Sequence, residues 1–518
     1  MRRWTQWTFA VLFVVALLIR LPGFDRLLNG SEVDYVLAAR RGFLTNYLDL
    51  GTRPVSEYVA TALAMAGFGG NAGDTNPDLW TRDVAANDIA AYRHYHPPLF
   101  IYTLYAIERV AGYSDAAVRL IPLAFSLATI ATLYLGCALL LPARGPQVGL
   151  MAAAILSVLS LHAATSTDIG WHIPYASLAA ASLFAMGLLL TRPSMRAFIV
   201  AVVVTTLAFV TLEHAVFLYL TLAVLLVMTD NPWLSVSRSG VSAHRGLLVA
   251  AGAGILTMLL VWPASLVKLS IIKNMGVHAY YSRTLDLSPR FYDVYLVLLD
   301  RYPVMVGLAA ITAVVSVVRR SHLPRVLLPF AIYVVGACLL QLGNLNLKPL
   351  YFVSLLPPLA LLSAIWIVDA MSASKQRVRL VGHAVAAAVA VALVFNVQQT
   401  LRSREVATPT EELLISRLSQ IDELAGERVL TWPAGSHAAQ TLAFYLPETR
   451  FVRVIDEPRN VRAARDALRR GVFRFVIVEL SASGPRAGEP PALWSIYRPL
   501  FKIPGRSGAD GFEIWTRR

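Results

Sequence analysis

The sequence predicts an all-α polytopic membrane domain of about eleven transmembrane helices, followed by a small extracytoplasmic α/β domain. Hydrophobic residues make up 56% of the chain, charged residues only 15%, and the mean hydropathy is +0.57. Soluble chains carry about 25% charged residues. The deficit is concentrated in long uncharged runs, as segments that lie in hydrocarbon require. These observations exclude an ordinary soluble globular protein.

The apolar runs have the length of membrane-spanning helices, which need roughly 17–25 residues. The first run resembles a signal peptide, but no small-residue cleavage site follows it, so we expect a retained helix. The two short runs around Glu213 and His214 could be one long helix, although these polar residues favour a helical hairpin. The predicted spans are 4–21, 117–141, 147–163, 172–191, 197–211, 214–229, 247–267, 303–318, 326–343, 350–368 and 380–397.

Charge in the linkers predicts the orientation in a cell (inner or plasma) membrane. With the N-terminus inside, every inside linker is basic, as the positive-inside rule requires. The net charge of +14 therefore does not indicate a nucleic-acid partner. Residues 22–97 then lie outside, with nine Asp/Glu against six Lys/Arg. This topology holds if 97–112 is an amphipathic helix on the outer surface, and it places the C-terminus outside. The inside linkers are 142–146, 192–196, 230–246, 319–325 and 371–379.

The last part of the chain is more polar, and its apolar and polar residues alternate as in a soluble domain. We predict a membrane domain over 1–399, including a first outer loop at 22–116, and an α/β domain over 400–518. The predicted strands are Arg428–Trp432, Phe451–Ile455 and Phe473–Glu479, with helices at 436–446 and 458–470 and edge strands at 497–503 and 511–516.

Two carboxylates follow the first span. Glu32 or Asp34 could act as a general base that removes a proton from an acceptor hydroxyl. The alternative is an acidic helix N-terminus that the helix dipole stabilises.

The first outer loop ends in His96-Pro97-Pro98. His96 could donate a hydrogen bond to a phosphate oxygen, and Arg93 would add positive charge. The alternative is a surface histidine in front of a proline that starts a helix.

Further polar residues collect at the predicted outer ends of the helices. Asp168 and His172 lie between two spans, and Glu213 and His214 interrupt an uncharged stretch, where they are functional candidates or a structural hydrogen-bonded pair. Their residue types allow a divalent metal, but no spacing predicts a metal site or any other cofactor. Cys137 and Cys338 lie in apolar runs and predict no disulfide.

The order of these features resembles a known family. An acidic outer loop, a helix that opens with His-Pro-Pro-Leu, an arginine-led span at Ala117–Phe125 and a late segment at Lys348–Pro358 resemble the membrane C-type glycosyltransferases. The similarity is to the branch with protein O-mannosyltransferases and aminoarabinose transferases, and it extends over most of residues 1–370.

This resemblance implies transfer of a sugar from a polyprenyl-phosphate donor to an extracytoplasmic hydroxyl on a glycan, lipid or protein. It implies Glu32 or Asp34 as the base and His96 at the donor phosphate. The family's acid pair appears as Ser31-Glu32, and its late arginine is replaced, which leaves Lys348 as the nearest cation. With Arg93, His172, Glu213 and His214, these residues form the predicted substrate site.

Two other functions remain open from the sequence. One is a transporter or flippase of lipid-linked saccharides, although internal repeats are not evident. The other is a catalytically idle relative that binds carbohydrate. Glycine-rich phosphate loops and Walker motifs are not evident in the sequence, so nucleotide hydrolysis is not indicated.

Overall fold

The structure is a computed structural model that describes most of the chain. The residues that it does not describe are 1, 23, 25, 29, 41, 45–96, 142–143, 229–240, 268–298, 301, 319–326, 341–348, 406–409, 433–437, 454–457, 481–494 and 505–510. The chain forms two compact units. The first contains Met1–Phe24 and His96–Arg404, and the second contains Asp25–Tyr95 and Glu405–Arg518.

Helices dominate the described residues. They are α1 (Arg2–Arg20), α2 (Gly30–Arg40), α3 (Leu99–Ala111), α4 (Asp115–Leu140), α5 (Gly145–Val158), α6 (Ser160–Thr165), α7 (His172–Thr191), α8 (Met195–Phe209), α9 (Val216–Met228), α10 (Val241–Val261), α11 (Ala264–Val267), α12 (Pro303–Val318), α13 (Leu328–Leu340), α14 (Leu356–Met371), α15 (Gln376–Glu405), α16 (Thr410–Leu418), α17 (Ala438–Tyr445) and α18 (Pro458–Arg469). Short 3₁₀ segments occupy Glu213–Ala215, Pro349–Leu355 and Asp422–Leu424.

The first unit is a helical assembly. Within the described residues, three helical stretches are long and apolar enough to cross a membrane: Asp115–Leu140, His172–Thr191 and Phe352–Met371. Seven shorter apolar helical stretches accompany them: Trp4–Arg20, Gly145–Val158, Met195–Phe209, Glu213–Val227, Gly246–Val261, Pro303–Thr312 and Leu328–Ala337. The total of eleven spans stays a prediction.

Two of the predicted apolar stretches are interrupted by extended backbone. The predicted span 147–163 is broken at Leu159, whose backbone is extended, so that α5 and α6 are separate. The stretch around Glu213 is also broken, because Leu212 is extended and a 3₁₀ turn follows it. The interpretation of two helices rather than one long helix is therefore confirmed.

Small residues allow α4 and α5 to pack closely. A Cβ atom added to Gly149 would lie 2.8 Å from the Tyr134 carbonyl oxygen, which is closer than real Cβ contacts. Glycine at this position lets the two backbones approach, as in other membrane helix pairs.

The second unit contains a five-stranded mixed sheet in the order β2-β1-β3-β5-β4. The strands are β1 (Arg428–Trp432), β2 (Arg450–Arg453), β3 (Phe475–Leu480), β4 (Tyr497–Pro504) and β5 (Gly511–Arg517). Strand β1 pairs in parallel with β2 and β3, whereas β5 is antiparallel to both β3 and β4. The sequence predicted 511–516 as an edge strand, which is wrong, because β5 pairs on both sides.

Apolar clusters cover both faces of this sheet. One face packs Val429, Phe475 and Ile514 with α16 and α17, and the other packs Leu430, Val476 and Trp515 with α18. Helix α2 also packs on α17. Within the predicted first outer loop, the described residues between 26 and 44 therefore group with the sheet, whereas residues 97–116 group with the helical unit. The sequence assigned the whole loop to the membrane domain.

Candidate active site

Glu32 and Asp34 lie in the second unit, near the start of α2. Glu32 is in the first helical turn, and both side chains are buried, at 3% and 8% exposed. An Arg26 Nη2 atom lies 3.1 Å from Glu32 Oε1 and forms an ion pair. A buried carboxylate needs such a partner, because its loss of hydration is costly. The pair gives the Glu32 carboxylate a defined orientation.

The His-Pro-Pro-Leu segment opens α3 in the first unit. His96 and Arg93 lie outside the described residues, but Pro97 and Pro98 are described and buried. The Leu99 backbone N–H donates to the Val210 carbonyl oxygen at 3.0 Å. The start of α3 therefore lies beside the turn that carries Glu213 and His214.

That turn also lies against an apolar cluster. Leu99 packs with Val210, Trp262 and Ala264, and the ring of His214 stacks near that of Phe217 with centroids 6.3 Å apart. Both Glu213 and His214 are half-buried. These contacts bring α3, the 3₁₀ turn and the end of α10 together.

A second loop of the first unit carries Asp168 and His172. It is fixed to α4 by Arg119, which is fully buried and donates from Nη1 to the Thr167 carbonyl oxygen at 2.6 Å. The rings of Trp171 and His172 lie 5.3 Å apart. The arginine that opens the family-like span thus positions the backbone next to Asp168.

The sequence interpretation missed a buried network around Arg20. This side chain is fully buried at the end of α1, and its Nε donates to Ser126 Oγ at 2.8 Å. Its Nη1 donates to the Ser157 carbonyl oxygen at 2.9 Å, and its Nη2 lies 2.9 Å from His162 Nδ1. The network joins α1, α4, α5 and α6.

A signal for this network was present in the sequence. Arg20 and His162 are ionisable residues inside predicted spans, where such residues are expensive and tend to have partners. Both residues lie near the predicted outer ends of their spans, but no motif connects them in the sequence.

The remaining predicted residues cannot be placed. Lys348 lies outside the described residues, together with Arg93 and His96. In the part of the chain that the structure describes, His, Cys, Asp and Glu do not form a group of three that could hold a metal ion.

The described charged groups have different roles in the two units. The first unit buries the guanidinium groups of Arg20 and Arg119 among helices, where they donate to hydroxyl and carbonyl oxygens and connect the helix ends. The second unit holds two buried carboxylates at one helix start, and such groups can accept a proton.

The chain is similar to a known sequence family over part of its length. Residues 95–252 match the family described as dolichyl-phosphate-mannose-protein mannosyltransferase. No curated protein sequence matches the chain.

The similarity to solved structures extends over the whole chain. ArnT from Cupriavidus metallidurans bound to undecaprenyl phosphate is 15% identical, with a TM-score of 0.62 and 98% of each chain covered. The oligosaccharyltransferase AglB from Archaeoglobus fulgidus, in complex with an inhibitory peptide and a dolichol-phosphate, is 10% identical with a TM-score of 0.57, covering 99% of this chain and 74% of that one. The arabinofuranosyltransferase AftD from Mycobacteria is 15% identical with a TM-score of 0.51, covering 100% of this chain and 41% of that one.

At these identities the structural similarity defines the fold. The fold is that of ArnT, and the matched segment contains the start of α3, Arg119, the Asp168 loop and the Glu213 turn. The resemblance to the membrane C-type glycosyltransferases, and to their mannosyltransferase branch in particular, is therefore confirmed.

Proposed function

We propose that this chain is an integral membrane glycosyltransferase that moves a sugar from a polyprenyl-phosphate donor to a hydroxyl group of an extracytoplasmic acceptor. The observation that carries the proposal is the similarity over 98% of both chains to ArnT bound to undecaprenyl phosphate. The match of residues 95–252 to a dolichyl-phosphate-mannose family supports the same donor class.

The reaction requires little chemistry from the protein. The acceptor hydroxyl attacks the anomeric carbon of the sugar, the bond from that carbon to the phosphate oxygen breaks, and the lipid phosphate leaves with the electron pair. Cations near the leaving phosphate stabilise its negative charge in the transition state. His96, Arg93, His172 and Lys348 are the proposed donor-binding cations.

A general base removes the proton of the attacking hydroxyl. We assign this role to Glu32, with Asp34 as the second candidate, because both are buried at the start of one helix. Arg26 orients the Glu32 carboxylate through Oε1. A positioned base contributes about 10²–10⁴-fold to the rate.

Glu213 lies near the start of α3, where the Leu99 backbone N–H donates to the Val210 carbonyl oxygen. We propose that Glu213 and His214 contact the donor or orient the residues that hold it.

We propose a multi-pass location in the cell membrane, with the N-terminus inside and residues 400–518 outside. A reporter enzyme that is active only outside the cytoplasm should therefore be active when it is fused after Arg518. Activity of a cytoplasmic-only reporter at that position would contradict the proposed topology.

The central test is sugar transfer by the reconstituted full chain. The protein in lipid nanodiscs is incubated with a panel of radiolabelled undecaprenyl-phosphate pentoses and hexoses, and with membranes from a strain that lacks the gene as acceptor. We expect label from one donor to pass to the membranes. Replacement of the base by Glu32→Gln should lower this rate by about 10²–10⁴-fold.

Matched variants separate the alternatives. Asp34→Asn decides between the two carboxylates, and Glu423→Gln removes an exposed carboxylate of the same unit and should have wild-type transfer. Movement of the intact lipid-linked sugar across the bilayer without transfer would instead indicate a flippase. Normal transfer by both Glu32→Gln and Asp34→Asn would show that the base assignment is wrong.

A further inference from the structure

The helix that carries Glu32 and Asp34 rests on a different part of the chain. Helix α2 packs against α17, which lies about 400 residues later in the sequence and belongs to the sheet domain. Both helices lie in the second compact unit. A loop acid that must meet an acceptor hydroxyl thus has its helix supported by the C-terminal part of the chain.

The start of α2 is held by a specific hydrogen bond. The backbone N–H of Leu28 donates to Tyr445 Oη at 2.8 Å. Leu28 is fully buried, so this N–H would lose its partner if the hydroxyl were absent. Arg26, which pairs with Glu32, is only two residues away in the chain.

The middle and the end of α2 are also held by this domain. Leu37 packs against the apolar cluster that includes Leu442 of α17. The Arg40 guanidinium lies over the Phe444 ring at 4.3 Å from its centroid, within cation–π distance. Tyr445 and Phe444 are adjacent, so one short helix contacts both ends of α2.

We propose that α17 is a positioning element for catalysis and that Tyr445 and Phe444 are positioning residues that fix the carboxylates of α2. This inference rests on the proposed function and extends it. It assigns the sheet domain a role in the transfer step itself, through the orientation of Arg26, Glu32 and Asp34. Small displacements of a reacting group have large effects on rate, since about 1 Å can cost about 10²-fold.

The first experiment compares two tyrosine variants of the same domain in the full chain in nanodiscs. Tyr445→Phe deletes the hydroxyl that accepts from Leu28. Tyr497→Phe deletes a hydroxyl that donates to the Phe473 carbonyl oxygen at 2.9 Å, within the sheet domain. The donor is the undecaprenyl-phosphate sugar that the wild type transfers.

We expect Tyr445→Phe to lower kcat by about tenfold with an unchanged KM for the donor, because substrate binding does not use this contact. Tyr497→Phe should keep both constants. Amide hydrogen exchange should become faster in α2 of Tyr445→Phe and remain slow in β1 and β3. A wild-type kcat for Tyr445→Phe would overturn the proposal.

A second pair of variants keeps the test valid if Tyr445→Phe folds poorly. Arg40→Gln removes the cation over Phe444, whereas Arg40→Lys retains one. We expect a several-fold lower kcat for Arg40→Gln and recovery in Arg40→Lys. Equal kcat values for these two variants and the wild type would also overturn the proposal.

The design separates this inference from the proposed function. Absence of transfer by the wild type with every donor would reject the glycosyltransferase assignment and the catalytic role of α17 with it, while hydrogen exchange would still report the contact. Normal transfer by Tyr445→Phe and Arg40→Gln together with loss in Glu32→Gln would reject only the positioning role.

Discussion

The two units of the molecule distribute apolar and charged side chains in opposite ways. In the first, Trp4, Leu135 and Leu248 are exposed at 79%, 60% and 69%, while Arg20 and Arg119 are fully buried. In the second, Ile514 and Val476 are buried and Arg470 is exposed, as in a water-soluble domain. The contrast indicates that the outer surface of the first unit faces hydrocarbon rather than water.

The largest loss of stability should follow removal of a buried charge from the first unit. Arg20→Leu leaves the Ser157 carbonyl oxygen and the His162 ring without their donor. We expect a loss of about 3–5 kcal/mol in the free energy of unfolding, because a broken buried polar network is strongly destabilising. Thermal unfolding of the full chain in detergent measures it. Unchanged unfolding would mean that the network adds no stability.

The next largest loss of stability should follow truncation of an apolar side chain, and its size should differ between the two units. Ile514→Ala should lower the stability of the sheet domain by about 2–5 kcal/mol, because it leaves a cavity in a buried cluster. Leu135→Ala removes a side chain from the exposed surface of the helical unit and should change stability by less than about 0.5 kcal/mol. Denaturant titrations in nanodiscs give both values. Similar losses of stability in the two variants would contradict the opposite distributions of apolar side chains in the two units.

The smallest effect concerns the phenol of Tyr497. Burial raises the pKa of Tyr497 above its ordinary value of about 10, although the nearby positive charge of Arg517 opposes the shift. The unfolded chain therefore ionises first, so the stabilisation is fully present below about pH 10 and is lost as the pH rises through the folded pKa. Tyr497→Phe should cost about 1 kcal/mol at neutral pH and should remove this alkaline decline in stability. Urea unfolding at several pH values tests this, and an alkaline decline identical to that of the wild type would contradict it.

Local patterns predicted the elements well. Helix α7 begins at His172 and ends at Thr191, as its uncharged run indicated, and β1 matches its predicted bounds. The order His-Pro-Pro-Leu, arginine-led span and late proline segment was sufficient to indicate the family. These features depend on neighbouring residues, and single-sequence reasoning can therefore identify them.

Contacts between segments that are far apart in the chain could not be predicted from the sequence. Leu28 and Tyr445 are 417 residues apart, and neither one carries a pattern that indicates the other. The position of β5 inside the sheet depends on which strands pair, and alternation does not specify this. For the candidate site, the position of Glu32 and Asp34 after the first span predicted them as candidate bases, and this role stays a prediction. The sequence predicted α17 only as a helix and gave no sign that it supports α2.

The pairing of α2 with α17 also constrains how the protein is made. Ribosomes add about 5–20 residues per second, so the 417 residues between Leu28 and Tyr445 separate the two partners by about 20–80 s. During this interval the buried face of α2 has no partner from α17, and the second unit is complete only when the last strand has been synthesised. A polypeptide truncated before β5 would therefore contain all the helices of the first unit and still leave its proposed catalytic helix without a finished support.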